Sequence, residues 1–485
     1  MAESASPVAE FDERSASEGV PKEKHGMDRA DAARELSEGA SRRLAAHVAA
    51  TCYGSLAPEV IHAFKRALLD FVTCAIAGSA MPVSRALLSY YEENDTIGAA
   101  TVLGSGVGLS APNAAMVNGA NVHGLDFDDG HTHGSAHPAG VIFPAVLAAA
   151  EQDAADPKAV VLAAVLGYDV MLRIAAAMHP ASARRGFHNT AIAGVFGSAA
   201  AVASLLGLDA QRCGHALGLA GSFSGGTREY LDEGAEVKRL HPGKAARDGL
   251  LCAEFARRGI TGPSKILEGR YGFFQTHAGG EVKWTRLFEG LGQRFEISNV
   301  YFKPYPCCRH FHAIIDGICA LREQHGFRAE EIAHVDLGIY AVGVSGHDHK
   351  HCGNLLDAQM SAPCAAALAL ADGKVTASQF LPESLDRAEV QALIQRIDTH
   401  IDEECERIYP GRRSGVVHVA LRDGRKFEAR VPDPKGEAAN PMADADLELK
   451  FVANCEPIVG RARCEQLLGR VWRFDELKSI GDFIR

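Results

Sequence analysis

The sequence predicts a mainly α protein, a large discontinuous all-helical domain with a smaller α+β lid domain. Three observations carry this. Ala and Gly are abundant while aromatics make up only 7% of 485 residues, a composition suited to close-packed helices. Apolar residues recur at helical spacing over almost all of residues 41–297. Short alternating runs then appear, and helical periodicity returns after a Pro/Gly linker. The chain divides accordingly into a disordered tail (1–40), a helical domain (41–297), an α+β lid (298–434) and a helical return (435–485).

The tail mixes Glu, Asp, Lys, Ser and Ala without apolar periodicity. Its acids argue against a transit peptide. Pro58 suits a first helical turn; Ile61, Phe64, Leu68, Val72 and Ala75 then keep helical spacing until Gly78 closes the helix. Further helices are expected over about 113–124, 138–150, 157–177 and 190–206, the last stopped by Gly207. In the lid, Val335, Leu337 and Ile339 alternate as in a strand. Val417, Val419 and Leu421, the turn Asp423-Gly424, and Phe427, Ala429 and Val431 spell a hairpin. Pro432 to Gly436 is a linker. A cleft between two such lobes is a common ligand site.

The net charge of −11 argues against a nucleic-acid partner. No apolar run approaches the ~20 residues of a membrane span, so no membrane partner is expected. The 12 cysteines include no CxxC pair, and reduced thiols in a cytoplasmic protein are expected. No Gly-rich phosphate loop, G-x-S-x-G elbow or HExxH helix is present.

Four segments carry chemistry. Asp126 to Pro138 packs acids and histidines between two helices: a solvated loop, a metal site using His131, His133 and Asp128, or a carboxylate site with His137 at a helix start. Arg184 to Thr190 holds His188, a substrate ligand or a helix cap. Glu236 to Arg247 concentrates Lys238, Arg239, Lys244 and Arg247 in an acidic protein, as a solvated face or a carboxylate clamp. Phe302 to His312 holds Lys303 and Cys307-Cys308; Cys308, beside Arg309 and a helix start, is either a thiol of lowered pKa or a small packing residue. The His347 to Gly353 run could reach over the cleft.

Together these segments resemble the MmgE/PrpD family. The matching text keeps family order: Leu68-Leu69-Asp70, Asn118-Gly119-Ala120, Asp126-Phe127-Asp128-Asp129, His137-Pro138, Gly186-Phe187-His188, Lys238 to Gly243, Arg270-Tyr271-Gly272 and Lys303-Pro304-Tyr305-Pro306. The resemblance implies a helical domain with an α+β lid, no metal or organic cofactor, and a homodimer acting on a small polycarboxylate. It places Asp126, His137, His188, Lys238 and Lys303 in the pocket. Thr132 is the candidate for the family's pocket threonine, in a stretch one residue longer than in the family's decarboxylases.

The reactions that the resemblance implies share negative charge at a carbon beside a carboxylate. They need cations for the carboxylates and a proton carrier. The expected roles are His137 as proton carrier, Lys238 and Lys303 as clamps, Asp126 holding His137 or a neighbour in the right tautomer, and His188 and Cys308 as substrate contacts. The expected function is a lyase, a citrate-type dehydratase or cis-aconitate-type decarboxylase. An epimerase using Cys308 as second proton carrier, or an inactive acid-binding protein, are the alternatives.

Overall fold

A computed structural model describes residues 35–484. Residues 1–34, most of the expected tail, lie outside the described residues. The helical lobe is built from α1 (Ala40–Ala50), α2 (Pro58–Gly78), α3 (Pro82–Asn94), α4 (Ala111–His123), α5 (Ala139–Asp153), α6 (Pro157–Met178), α7 (Asn189–Leu205), α8 (Ala210–Phe223) and α9 (Val237–Arg257). Proline starts α2, α3, α4 and α6, where its missing N–H has no helical partner to lose. A two-stranded ribbon, β1 (Ala100–Thr101) with β2 (Gly108–Leu109), was not anticipated, since two-residue strands leave no alternation to read.

The centre of this lobe is α6, buried along almost its whole length and packed on α5 and α7. Contrary to the sequence expectation, α6 is long and apolar enough to match a bilayer span; 89% of its apolar window is buried against neighbouring helices. Its charged residues Asp169 and Arg173 pair with each other at 2.9 Å, which lets them stay buried.

Beyond Phe302 the chain leaves this first core and builds a second. Here α10 (His312–His325) and α11 (Ala362–Asp372) pack on a four-stranded sheet of β3 (Ile332–Ile339), β4 (Ile397–Ile401), β5 (Gly415–Leu421) and β6 (Lys426–Val431). The order is β4-β3-β5-β6, with β3 and β4 parallel and the other pairs antiparallel. The hairpin β5–β6 lies where the alternation predicted it. The strand β4 was missed because Asp398, Thr399 and His400 separate its two isoleucines; it is an edge strand with polar exposure. The chain then returns to the first core through α12 (Asp444–Val459) and α13 (Arg461–Trp472), with α12 lying on α2. The protein is thus mainly α with a smaller α+β region.

Cys352 and Cys364 form a disulfide, against the expectation of reduced thiols. The pairing is tertiary: the loop after His347 folds back onto the first turn of α11. The other ten cysteines are free.

The crossing of α4 and α9 sets the walls of the cavity between the lobes, because α4 leads into the Asp126 loop and α9 carries Lys238. The helices meet at Gly119 and Gly243, where a Cβ on either glycine would collide with the other helix's backbone. Gly243→Ala is therefore expected to lower the melting temperature, at a cost of about 1–3 kcal/mol from overpacking. Gly54→Ala, with open space around its Cβ, is the neutral control. Equal melting temperatures for the two variants would contradict this crossing.

Candidate active site

The loop between α4 and α5 is buried and tied at every few residues. Asp129 accepts from the Ala139 N–H and the Tyr168 hydroxyl, both at 2.9 Å. His131 Nε2 lies 3.2 Å from a Glu296 carboxylate oxygen, and Gly130 bridges to Tyr301. Lys450 on α12 donates to Asp70 on α2 and to the Phe127 carbonyl, each at 2.7 Å. Asp126 and Ser135 take left-handed backbone, φ 52° and 46°. Asp tolerates this conformation better than most residues, and such strain persists where surrounding contacts over-determine it. The solvated-loop reading is excluded by this burial.

Asp126 gathers the cations. Its Oδ1 accepts from Lys238 Nζ at 2.6 Å and lies 3.2 Å from Lys303 Nζ. Lys303 also donates to the Asp126 carbonyl at 2.9 Å. Burial opposes ionisation of Asp126, but Lys238 and Lys303 outweigh it and hold the carboxyl well below its usual range. Burial likewise opposes the Lys303 ammonium, and Asp126 reverses that, pushing it up. Each ammonium has three donors. Lys238 uses one on Asp126 and Lys303 two, so donors remain for a ligand.

His137 stands beside this cluster. Its Nδ1–H donates to the Asp129 carbonyl at 2.7 Å, which fixes the neutral tautomer with a lone pair on Nε2. Of the two expectations for Asp126, that it holds His137 itself is not met: Asp126 is occupied by the lysines, and the carboxylate beside His137 Nδ1 is Asp128 at 3.8 Å. Burial lowers the His137 pKa to about 3, with Asp128 opposing and Lys303 adding to the fall. Asp128 itself is gripped by His123, at 2.9 Å.

These residues line a cavity between the lobes, of about 80 Å³ measured as space open to the centre of a water molecule. That holds several waters or the polar groups of a small acid. Asp126, His137, His188, Lys238, Lys303 and Cys308 all face it. His188 meets His241, Nδ1 to Nδ1 at 2.9 Å, at the start of α7. Thr132 does not reach the cavity, because its hydroxyl donates to Glu437 at 2.9 Å in a separate recess. Cys308 lines the cavity, but burial and then Asp126 push its thiol up rather than down. Arg309 cannot activate it, being spent on Glu437 at 3.0 Å and on the Pro434 and Lys435 carbonyls.

Sequence reasoning missed Arg228, Tyr230, Tyr301 and Arg413 at this cavity, and did not assign His310 a role. It also missed Gln359, which touches three pocket segments. The Gln359 Nε2 donates to the Leu125 and Pro306 carbonyls, both at 2.8 Å, and its Oε1 accepts from Arg239. Its own carbonyl accepts the Cys308 N–H. A lone Gln before a helix carries no sequence signal.

His131, His133 and Asp128 do not converge as metal ligands. Among the described residues, two buried groups have donor atoms within 4.8 Å of one another, Cys308/His310/His347 and His123/Asp128/His137. Lys238, Lys303, Arg228 and Arg413 line the same cavity as Cys308, His310, His347 and His137, and like charge opposes a divalent cation there.

The buried histidines couple stability to pH. Burial lowers the pKa of His137 and His179 to about 3, and of His133, His241 and His347 to about 4, from 6.5. The folded state thus binds fewer protons than the unfolded one below the free histidine pKa, and stability falls as pH drops through that window. Asp70, Asp129 and Asp316, whose carboxyls burial raises, oppose this but are fewer. The melting temperature at about pH 5 should lie clearly below that at about pH 8. A flat profile, or one rising toward acid, would contradict neutral histidines.

Comparison with known sequences bears on both lobes. The MmgE/PrpD N-terminal domain matches residues 42–285, and the MmgE/PrpD C-terminal domain matches residues 305–473. A cis-aconitate decarboxylase of Aspergillus terreus is 28% identical, covering 88% of this chain and 91% of its own length. The cis-aconitate decarboxylases of Homo sapiens and Mus musculus are each 26% identical, covering 88% and 89% of this chain and 90% and 89% of their own. With both domains matched in order around one shared cavity, this chain belongs to the MmgE/PrpD family.

Proposed function

We propose that this chain is a lyase that decarboxylates a small polycarboxylate of the cis-aconitate type without a metal or organic cofactor. The observation that carries the reading is a cationic cavity between the lobes, where two lysines converge on one aspartate beside a neutral histidine with a free Nε2. The relatives' named activity supports the choice of acid. Lys238 and Lys303 hold a substrate carboxylate with their remaining donors. The bond to the departing carboxylate breaks and its electron pair stays on the carbon framework, where the ammonium groups stabilise it. His137 delivers the proton, and CO₂ leaves. The substrate's own negative charge raises the His137 pKa from its value in the empty site, so the ring can carry that proton.

A second reading, epimerisation, has one observation in its favour. Burial keeps the Cys308 thiol protonated in the same cavity, so two proton carriers face one ligand.

Incubation with cis-aconitate in deuterated water, followed by NMR, separates the outcomes. Loss of substrate with release of CO₂ and deuterium in a product one carboxylate shorter supports decarboxylation, whereas a deuterated product that keeps all three carboxylates is hydration and would overturn it. Racemisation of an added amino or imino dicarboxylate supports the second reading. Binding with neither outcome would sink both.

Two variants test the roles. Lys238→Ala removes a charge-assisted contact worth roughly 1.5–3 kcal/mol, and kcat/KM should fall accordingly. His137→Ala should lower kcat by about 10²–10⁴-fold while substrate still binds. Wild-type turnover by His137→Ala would show that another group moves the proton. Dialysis against strong chelators should leave activity intact, and loss restored by one divalent metal would overturn cofactor independence.

A further inference from the structure

The cavity is cationic in two separate places. One is the pair Lys238 and Lys303 on Asp126. The other is Arg413, in the segment that joins Ile408 to β5, with Arg228 from the helical lobe facing the same space. The two places are tied to different points of the α4–α5 loop, the lysines to Asp126 and Arg413 to the Thr132 carbonyl. The charges that act most on Asp126 are Lys238, Lys303, His123 and His137, with neither arginine among them. Those that act most on Arg413 are Tyr340, Tyr301, Tyr409 and Glu437, with neither lysine among them. Tyr301 feels Arg413 first and Lys303 next, so it stands between the two.

Arg413 is a built but incomplete site. It is only 3% exposed. Its Nη2 donates to the Thr132 carbonyl at 3.3 Å, a long bond, and its buried Nε has no partner. Glu437, the acid in its surroundings, is already taken by Arg309 and Thr132. The Tyr340 hydroxyl is bonded to His310 and the Tyr409 hydroxyl to His179. A guanidinium has five donors, and burying its charge without a counter-ion is costly. A ligand carboxylate offers the missing counter-ion in the fork geometry that Arg prefers over Lys. His347, whose Nδ1–H donates to the Met360 carbonyl at 2.8 Å, lines the same end with Nε2 left over.

We infer that Arg413, with Arg228, forms a second carboxylate subsite, so that the substrate is an acid with carboxylates at both ends. One end sits on Lys238 and Lys303 beside His137, where chemistry occurs. The other sits on Arg413 and selects the length and charge of the acid. This rests on the proposed function for which acid is turned over, but not for which acids bind.

Calorimetric titration with tricarballylate, glutarate and butyrate is the test. These are an unreactive tricarboxylate, a dicarboxylate and a monocarboxylate. The wild type should bind the first two more tightly than the third. Arg413→Met should weaken tricarballylate and glutarate roughly 10–100-fold, toward the monocarboxylate's affinity, and leave butyrate unchanged. Arg413→Lys should fall between, since it keeps charge but loses the fork. If Arg413→Met fails to fold, Arg228→Met provides the same comparison, with a smaller selective loss. Equal weakening of all three acids, or no weakening, would overturn the subsite. Selective weakening without turnover of cis-aconitate would leave the subsite standing and remove the proposed reaction. Turnover without selective weakening would do the reverse.

Discussion

Two lysines buried in one cavity repel each other and lose their hydration, and the active-site geometry depends on how that cost is met. Asp126 meets it, with Lys238 on one side and Lys303 on the other. For one carboxylate to serve both, its backbone must sit in a conformation few residues adopt, and several distant segments hold it there. Gln359 fixes the carbonyl of Leu125, just before it. Lys303 fixes the carbonyl of Asp126 itself, and Lys450 fixes that of Phe127 just after. These come from the lid, the entry to the lid and the C-terminal return. The discontinuity of the helical lobe thus has a physical role: no contiguous stretch of this chain could supply all three.

The cavity combines strong positive charge with histidines that stay neutral. Burial and the neighbouring cations both disfavour imidazolium, so His137, His310 and His347 reach the ligand as uncharged donors and acceptors. In the proposed function the fixed charges bind the acid, while the imidazoles remain free to move protons. A polyanion entering this space shifts that balance, and its arrival makes His137 a better base. In the proposed reaction, binding and proton transfer are therefore coupled through electrostatics.

The helices were legible because apolar periodicity and proline starts are local signals; α2 was read at both of its ends. The hairpin β5–β6 was legible for the same reason. Six of the seven expected site residues meet at the cavity because they lie in dense clusters of ionisable residues. Thr132 misled because neighbouring positions in a tight loop point different ways, and a hydroxyl takes the nearest acceptor, here Glu437. Of the two readings of Cys308, the lowered pKa fails because proximity in sequence to Arg309 is not proximity of charge: the guanidinium turns away to Glu437 and stacks 4.5 Å over Tyr301. Arg413 and Gln359 were invisible because an isolated residue gains its meaning only from segments brought to it by the fold.

The most direct test of the central claim is the kinetics of Asp126→Asn with cis-aconitate, alongside its affinity for tricarballylate. Asparagine keeps the shape and removes the charge that both lysines share. Breaking a buried pair costs about 3–5 kcal/mol of folding stability; separately, turnover should fall by about 10²-fold or more because the lysines lose the group that positions them, while they still bind the acid. Wild-type turnover by Asp126→Asn would contradict the account, because the lysines would then be held for catalysis by something other than the aspartate between them.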